Sequence, residues 1–200
     1  MAIKIIGVTG PSGAGKSYLS LVLKKKGLPV IDADGIYHSL LTKNSDCTLA
    51  LVNEFGKEIL DADGAPDTKK LGAIVFSSEE KLKKLNSLVL GFVIFKIKEI
   101  IAELDKKGES AVIVDAPTLI ESGFSKECDA VVSVLSSKEK RIERIIMRDG
   151  ISYEKAVMRV SAQKDDSFYK DNSHFVLTND GDTESFESEI GILFENVLKG

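Results

Sequence analysis

The sequence has no long apolar run. A membrane-spanning helix needs roughly 18 to 20 apolar residues in a row, and no segment approaches that length. The longest candidate, residues 88–101, is interrupted by lysines and is typical of a helix buried on one side. The N-terminal apolar run is short and leads directly into glycine-rich sequence, so we expect no signal peptide and no membrane association.

Cysteine is scarce. The two cysteines, Cys47 and Cys128, lie far apart, and no histidine or cysteine stands at metal-ligand spacing from either. This pattern indicates neither a disulfide framework nor a zinc site. The lone histidines His38 and His174 are not assigned to a metal either. We expect two reduced thiols in a cytoplasmic protein.

Positive charge is not in excess. The net charge is −4, with 27 Lys and Arg against 31 Asp and Glu. A broad nucleic-acid-binding surface needs clustered basic residues, so nucleic acid is not an expected partner. A small anionic ligand needs only local positive charge and remains compatible with this composition.

Apolar and β-branched runs alternate with helical patterns along the chain. We predict strands at residues 3–9, 28–34, 110–117, 129–136 and 174–180. We predict helices at residues 15–26, 35–60 with a break at "KNSD", 68–107, 137–165 and 183–198. This alternation predicts an α/β fold, a five-stranded parallel sheet flanked by helices on both faces. The helix-rich stretch 35–107 is too long for a simple crossover, so we expect a helical insertion beside the sheet.

The segment "GPSGAGKS", residues 10–17, follows the first predicted strand and opens the first predicted helix. It fits G-x-x-x-x-G-K-S, the phosphate-binding P-loop. Glycines allow several backbone N–H groups to point at phosphate oxygens, and the helix adds its positive N-terminal end. Lys16 would reach the β- and γ-phosphates, and the Ser17 hydroxyl would coordinate Mg²⁺. The motif in this context predicts a nucleoside triphosphate with magnesium.

Three acidic residues lie at the carboxyl ends of predicted strands. Asp32 and Asp34 end the "IDAD" segment, where open parallel sheets bind ligands. A carboxylate there either accepts a proton from an attacking hydroxyl or helps to hold Mg²⁺; the alternative is a helix N-cap. Asp115 ends "AVIVD" in the manner of a Walker B acid. One interpretation is that it holds magnesium through water, and the other is that it caps a helix.

Four arginines fall within residues 141–159, namely Arg141, Arg144, Arg148 and Arg159. Arg144 and Arg148 are four residues apart and share one helical face. A helical lid closing over the triphosphate would use such residues to neutralise transition-state charge. The alternative is a solvated helix whose arginines pair with Glu139 and Glu143.

Together these segments resemble the dephospho-coenzyme A kinase family over nearly the full length. The similar pieces stand in the family's order: "IGVTGPSGAGKS", "GLPVIDAD", "FGKEILDADG", "AIVF", "KLKKLN", "VIVDAPTLIESG", "RIIMRDGISYEKAVMRVSAQ" and "LTNDG". The resemblance implies a P-loop kinase fold and ATP-dependent phosphorylation of the ribose 3′-hydroxyl of dephospho-coenzyme A. It also implies one domain over residues 1–200, acting as a monomer or small homo-oligomer.

The resemblance further implies three parts and a set of site residues. The core would comprise 1–34, 108–136 and 172–200, the acceptor-binding insertion about 35–107 and the lid about 137–171. Asp34 resembles the general base, acting with Lys16, Arg144 and Arg148. The nucleotide-binding residues would be Gly13, Ala14, Gly15, Lys16, Ser17, Tyr18, Arg148, Arg159 and, near the adenine, Asn179; the metal-binding residues would be Ser17, Asp34 and Asp115.

The departures from the family pattern all fall in the acceptor half. His38 and Thr68 stand where the family usually has arginine, and Leu90 and Gly91 stand where it usually has His-Pro. Losing a charge-assisted contact costs roughly 1.5 to 3 kcal/mol. One interpretation is divergence compensated by lysines such as Lys69 or Lys96; the other is a changed acceptor or a weakened enzyme.

Three rival functions remain open from the sequence. The first is a kinase of the same architecture acting on another nucleoside or nucleotide. The second is a GTPase-like switch, since "DADG" at residues 61–64 fits D-x-x-G, although no N-K-x-D motif occurs in the chain. The third is a module that binds ATP without turnover.

Overall fold

The computed structural model describes residues 2–199, which divide into two compact units. The first comprises residues 2–31 and 103–199, and the second comprises residues 32–102. Five strands are described: β1 (Lys4–Thr9), β2 (Val30–Asp32), β3 (Ala111–Asp115), β4 (Ala130–Leu135) and β5 (Phe175–Thr178).

Nine α-helices lie within the described residues. They are α1 (Lys16–Lys25), α2 (Ala33–Leu40), α3 (Asp46–Phe55), α4 (Thr68–Val75), α5 (Glu79–Lys106), α6 (Lys138–Asp149), α7 (Tyr153–Ser161), α8 (Asp166–Asp171) and α9 (Thr183–Lys199). Two short 3-10 helices add Lys57–Ile59 and Phe124–Glu127. Within residues 2–199, no helix combines the length and hydropathy that crossing a membrane requires.

The sheet is parallel, with strand order β2-β3-β1-β4-β5. β1 pairs with β3 on one side, with Ile6 opposite Ile113, and with β4 on the other, with Val8 opposite Val132. The chain passes from β1 to β2 on one side of the sheet, and later from β3 to β4 on the other side of β1, so the direction of the connections changes at β1. In open α/β sheets this switch point, at the carboxyl end of the strands, is where ligands bind.

Burial on both faces of the sheet explains the continuous apolar runs of the central strands. On one face, α1 and α9 pack against the sheet in a single cluster whose members include Ile6, Leu19, Ile113, Val132 and Phe194. On the other face, Val112, Val114 and Val131 are also buried. The predicted five-stranded parallel sheet covered on both faces is confirmed.

The unit of residues 32–102 is helical. Its helices α3 and α4 both pack on the 3-10 helix Lys57–Ile59. Ile59 is completely buried, as is Leu51 of α3. This unit overlaps the segment 35–107 that the sequence predicts to be a helical insertion.

Both cysteines are free thiols. Burial raises the pKa of the Cys47 thiol. Burial, reinforced by the charges of Asp129 and Glu127, raises the pKa of Cys128 to about 12. A thiol so strongly protonated at neutral pH is a packing group and a poor nucleophile.

The central strand tolerates no side chain at Gly7. A Cβ there would lie 2.4 Å from Leu119 Cδ2 and 3.0 Å from Cys128 Sγ. We expect Gly7→Ala to destabilise the fold by roughly 1–3 kcal/mol, because overpacking a tight core displaces its neighbours. Urea unfolding followed by circular dichroism measures the change.

Gly91→Ala is the matched control for this substitution. A Cβ at Gly91, on α5, meets nothing within 4 Å, and alanine is the better helix former. Equal stability of the Gly7→Ala variant and the wild-type chain would contradict the packing described for β1.

Candidate active site at the phosphate-binding loop

The loop of residues 10–17 connects β1 to α1 at the switch point of the sheet. All three of its glycines have positive φ, 136° at Gly10, 82° at Gly13 and 110° at Gly15. A Cβ at Gly13 would lie 2.7 Å from the Arg141 carbonyl oxygen, and one at Gly15 would lie 2.1 Å from Asn179 Nδ2. Both backbone geometry and close approach therefore require glycine at these positions.

Several backbone N–H groups of the loop have no protein acceptor. Within residues 2–199, nothing accepts from the N–H of Gly13, Gly15 or Ser17. Gly15 is the N-cap of α1 and supplies no side-chain cap, and the first turn of α1 has no acidic residue. Unpaired N–H groups at the positive end of a helix form an anion-binding site.

Side chains from distant segments donate hydrogen bonds to the carbonyl groups of the loop. Arg141 Nε donates to the Ser12 carbonyl at 3.2 Å, and Arg144 Nη1 donates to the Gly13 carbonyl at 3.2 Å. Asn179 Nδ2 donates to the Ala14 carbonyl at 2.8 Å. Because a trans peptide directs its C=O and its N–H oppositely, fixing the carbonyls of Ser12 and Ala14 turns the N–H groups of Gly13 and Gly15 the other way.

Lys16 lies within the loop. Its ammonium group donates to the carbonyls of Gly10 at 2.7 Å and of Pro11 at 3.2 Å. The Ser17 side chain is exposed and its hydroxyl has no protein partner among residues 2–199. These contacts place one cation and one unengaged hydroxyl beside the N–H groups.

Tyr18 faces away from the loop. Its hydroxyl donates to Glu187 Oε2 at 2.8 Å, and its ring lies near that of Phe186 on α9. This hydrogen bond to a carboxylate raises the pKa of Tyr18. The main chain of Tyr18 remains part of the first turn of α1, with its N–H donating to the Gly15 carbonyl.

Asp32 and Asp34 have different local roles. Asp32 is the N-cap of α2 and accepts from the Gly35 N–H at 3.1 Å. Asp34 is an exposed residue of the first turn of α2. The capping interpretation therefore applies to Asp32, while the Asp34 carboxylate is accessible to solvent.

Asp115 lies at the end of β3, next to β1 in the sheet. Its Oδ2 accepts from the buried Ser20 hydroxyl of α1 at 2.6 Å. This hydrogen bond links the acid to the helix that begins at the loop. The acid does not cap a helix, since residues 117–122 after β3 form turns, and the Ala116 N–H donates to the Val8 carbonyl of β1.

Arg144 contacts only neutral acceptors. Besides the loop carbonyls, its guanidinium donates to Ser136 Oγ at 3.1 Å and to the Asn179 carbonyl at 2.9 Å. Within the described part of the chain no carboxylate pairs with it. Its positive charge is therefore not cancelled locally and adds to the field at the loop.

Arg148 and Arg159 share one carboxylate, that of Asp149. Arg148 donates to both Asp149 oxygens, at 2.7 and 3.0 Å, and to Ser12 Oγ at 3.3 Å. Arg159 also donates to Asp149. The hydrogen bonds from Arg148, followed by those from Arg159, lower the pKa of Asp149 to about 2. The alternative interpretation, in which these arginines pair with Glu139 and Glu143, does not describe Arg148 and Arg159, which bind Asp149.

Three residues of this network carry no prediction from the sequence. Asp149 gathers two arginines, Asp180 Oδ1 accepts from Ser136 Oγ at 2.7 Å, and Gln163 Oε1 accepts from the Ser12 N–H at 3.1 Å. Asp180 and Gln163 bind partners that are distant in sequence, and the two arginines of Asp149 are one and ten residues away, so none of these pairs has the i, i+3 or i, i+4 spacing of a helical pair. The only available signal was their proximity in sequence to the arginines and to Asn179.

The sequence profile of the family described as Dephospho-CoA kinase matches residues 4–185. The chain belongs to this family. It is 34% identical over 192 residues to a dephospho-CoA kinase from Lactobacillus johnsonii, a match that covers 96% of this chain and 97% of the relative. The resemblance noted in the sequence is thereby confirmed, and membership makes the protein a kinase that uses a nucleotide phosphoryl donor.

Solved structures agree with this assignment. A dephospho-CoA kinase from Campylobacter jejuni superimposes with a TM-score of 0.72 at 28% identity, covering 98% of each chain. A shikimate kinase from Acinetobacter baumannii, solved with shikimate, gives a TM-score of 0.54 at 16% identity, covering 98% of this chain and 94% of the neighbour. The second likeness concerns the fold alone, and the predicted P-loop kinase fold is confirmed.

Removing the Arg144 guanidinium tests the importance of the contacts behind the loop. We expect Arg144→Met to lower kcat/KM for phosphoryl transfer roughly 10- to 100-fold, the effect of losing charge-assisted hydrogen bonds. Arg144→Lys should not restore the rate, because one ammonium group cannot reach the Gly13 carbonyl, Ser136 and Asn179 together. Steady-state kinetics with varied ATP measure both variants.

Lys138→Met is the matched control, since it removes an exposed cation from the same helix. It should retain the wild-type rate. Full rescue by Arg144→Lys would show that charge alone, and not the forked hydrogen bonding, matters at this position.

Proposed function

We propose that the protein transfers the γ-phosphoryl group of ATP to the ribose 3′-hydroxyl of dephospho-coenzyme A, the last step of coenzyme A synthesis. In this reaction the acceptor oxygen forms a bond to the γ-phosphorus and the bond from that phosphorus to the bridging oxygen breaks. ADP leaves, and the hydroxyl proton passes to a base of the protein. Family membership and the geometry of the loop both support this proposal.

The orientation of the loop's peptide groups is the observation that carries the proposal. The N–H groups of Gly13, Gly15 and Ser17 have no protein acceptor among residues 2–199, while three successive loop carbonyls, from Ser12 to Ala14, are held by other side chains. Such a loop presents only donors to a ligand. A polyphosphate, which carries only acceptor oxygens, is the complementary chemistry.

Lys16 and Ser17 fit a magnesium–triphosphate ligand. The Lys16 ammonium lies within the loop and now donates to carbonyls, which a phosphate oxygen would replace as acceptor. Within residues 2–199, no cluster of three or more His, Cys, Asp or Glu can hold a metal. This suits Mg²⁺, which typically keeps waters and binds one or two protein groups plus phosphates; Ser17, Asp34 and Asp115 are the proposed ligands. When bound, Mg²⁺ offsets the charge that develops between the β- and γ-phosphates.

Asp34 is the proposed general base. It is exposed, it follows the carboxyl end of β2 by two residues, and its neighbour Asp32 already caps the helix. We further propose that residues 35–107 bind the acceptor and that residues 137–171 form a lid that closes to exclude water. Water must be excluded because it would otherwise compete with the acceptor for the phosphoryl group.

A different acceptor is the second candidate, favoured by the departures in the helical unit. His38 is exposed on α2 with its ring edge-on to Tyr37, and Thr68 is the first residue of α4 after its cap Asp67. Neither supplies the permanent charge that arginine would. Lys69, also at the start of α4, would compensate as a nearby cation.

The switch-like rival finds no support in the local structure. Residues 61–64 lie in a turn between the 3-10 helix and α4, where Asp61 Oδ1 accepts from the N–H groups of Asp63 and Ala65. In a switch the D-x-x-G segment would follow a strand and respond to the γ-phosphate. Here its aspartate is engaged in closing the turn.

Formation of ADP that depends on dephospho-coenzyme A tests the proposal. We expect stoichiometric ADP and coenzyme A from the purified protein with ATP and Mg²⁺, and none from Lys16→Ala, because Lys16 stabilises the charge developing on the phosphates. Products are followed by a coupled ADP assay and by mass spectrometry of the acceptor.

The same assay separates the rival functions. Turnover with another nucleoside or nucleotide, and none with dephospho-coenzyme A, would show that the protein is a kinase with a different acceptor. ATP hydrolysis without any acceptor would indicate a switch, and tight ATP binding without turnover would indicate a binding module.

Replacing the proposed base should separate chemistry from binding. We expect Asp34→Asn to lower kcat by roughly two orders of magnitude, the size of a general-base effect, with little change in the Kd for ATP. Asp46→Asn, which removes a first-turn carboxylate from the neighbouring helix α3, is the control and should keep the wild-type kcat. A near-normal rate in Asp34→Asn would remove that residue from its proposed role.

A further inference from the structure

Gln163, two residues beyond the end of α7, is hydrogen-bonded to the phosphate-binding loop at Ser12. Its Oε1 accepts from the Ser12 N–H at 3.1 Å and also from a terminal nitrogen of Arg141. Arg141 Nε in turn donates to the Ser12 carbonyl at 3.2 Å. The three residues form a closed ring of hydrogen bonds that holds both main-chain polar groups of Ser12.

We propose that Gln163 and Arg141 are positioning residues that set the affinity of the loop for a polyphosphate by fixing the peptide between Ser12 and Gly13. This inference rests on the proposed binding of ATP at the loop. Neither residue needs to touch the nucleotide, since both act through Ser12.

The geometry of the peptide bond connects the hydrogen bonds of Ser12 with Arg141 and Gln163 to the N–H group that would bind the ligand. With the Ser12 carbonyl held by Arg141, the N–H of Gly13 in the same planar unit must point the opposite way. That N–H is one of those with no protein acceptor within residues 2–199. The Ser12 N–H, in contrast, is engaged by Gln163, so the donors available to an anion begin at Gly13.

The main chain of Arg141 also defines the space for the loop. A Cβ on Gly13 would lie 2.7 Å from the Arg141 carbonyl oxygen and 3.0 Å from its Cα. Helix α6 therefore sits directly behind Gly13. Displacing Arg141 would release both the hydrogen bond to Ser12 and this backing contact.

The burial of Arg141 makes its acceptors costly to lose. Its side chain is among the largest fully buried ones, with 2% of the residue exposed. Burial lowers the pKa of Arg141, an effect opposed by the charge of Asp166. A buried cation is tolerated where hydrogen bonds satisfy it, and the acceptors are the Ser12 carbonyl and Gln163 Oε1. Removing the Gln163 oxygen thus leaves two donors unsatisfied, one on Arg141 and one on Ser12.

Gln163→Met tests the inference, because methionine matches the length of glutamine but offers no comparable acceptor. We expect the Kd for ATP to rise roughly tenfold or more, as for the loss of a hydrogen bond to a charged group. The Kd for adenosine, which has no phosphate for the loop to bind, should stay within about twofold. Calorimetry measures ATP and nuclear magnetic resonance titration measures adenosine.

Two further variants complete the design. Gln163→Glu keeps an oxygen that accepts from both Ser12 and Arg141, so it should restore ATP affinity to within a few fold of the wild-type chain. Asn172→Ala, which removes a side-chain amide bonded to the Phe168 carbonyl in the same region, should change neither affinity. If Gln163→Met does not fold, Gln163→Asn, which withdraws the oxygen by one methylene, provides the same measurement.

The outcomes separate this inference from the proposed function. Wild-type affinity for ATP in Gln163→Met, or an equal loss of affinity for ATP and adenosine, would overturn the positioning role and leave the proposed reaction intact. A wild-type chain that does not bind ATP would instead overturn the proposed function, and the inference with it.

Discussion

The structure of the candidate active site depends on side chains that bind the carbonyl groups of the phosphate-binding loop. Arg141, Arg144 and Asn179 each donate to the loop, and all three come from segments more than a hundred residues away in sequence. A free loop of this composition could present either C=O or N–H groups to a ligand. Holding the carbonyls from behind selects the arrangement with N–H groups in front, which binds anions.

The same contacts explain why Gly13 and Gly15 are subject to two constraints, a positive φ and the close approach of a neighbouring group. Gly13 lies against the Arg141 main chain and Gly15 against the Asn179 amide. Each glycine satisfies a positive φ and also admits the group that holds the neighbouring carbonyl. The geometry of the loop therefore depends on α6 and on the residue after β5, Asn179, as well as on the loop motif itself.

Local patterns were enough to predict the strands, the loop and the helical segment between β2 and β3. The order of the strands was not predictable, because nothing local places β4 rather than β3 on a given side of β1. The partners of Arg148 and Arg159 were missed for a related reason. Both bind Asp149, which adjoins one arginine and is ten residues from the other, whereas the alternative drawn from the sequence named Glu139 and Glu143 because they lie near the arginines along the chain. Gln163 left no spacing pattern, since its partner Ser12 is 151 residues away.

Arginine and lysine have different roles in this chain. All the arginines of the sequence lie within residues 141–159, and every one donates to the loop or to the carboxylate of Asp149. Lysines supply exposed pairs elsewhere, such as Lys83 with Glu79 on α5. A guanidinium group donates along several fixed directions, so one side chain can bridge a loop carbonyl and a second acceptor. A lysine in these places would keep the charge but not the geometry, and the geometry is what orients the loop.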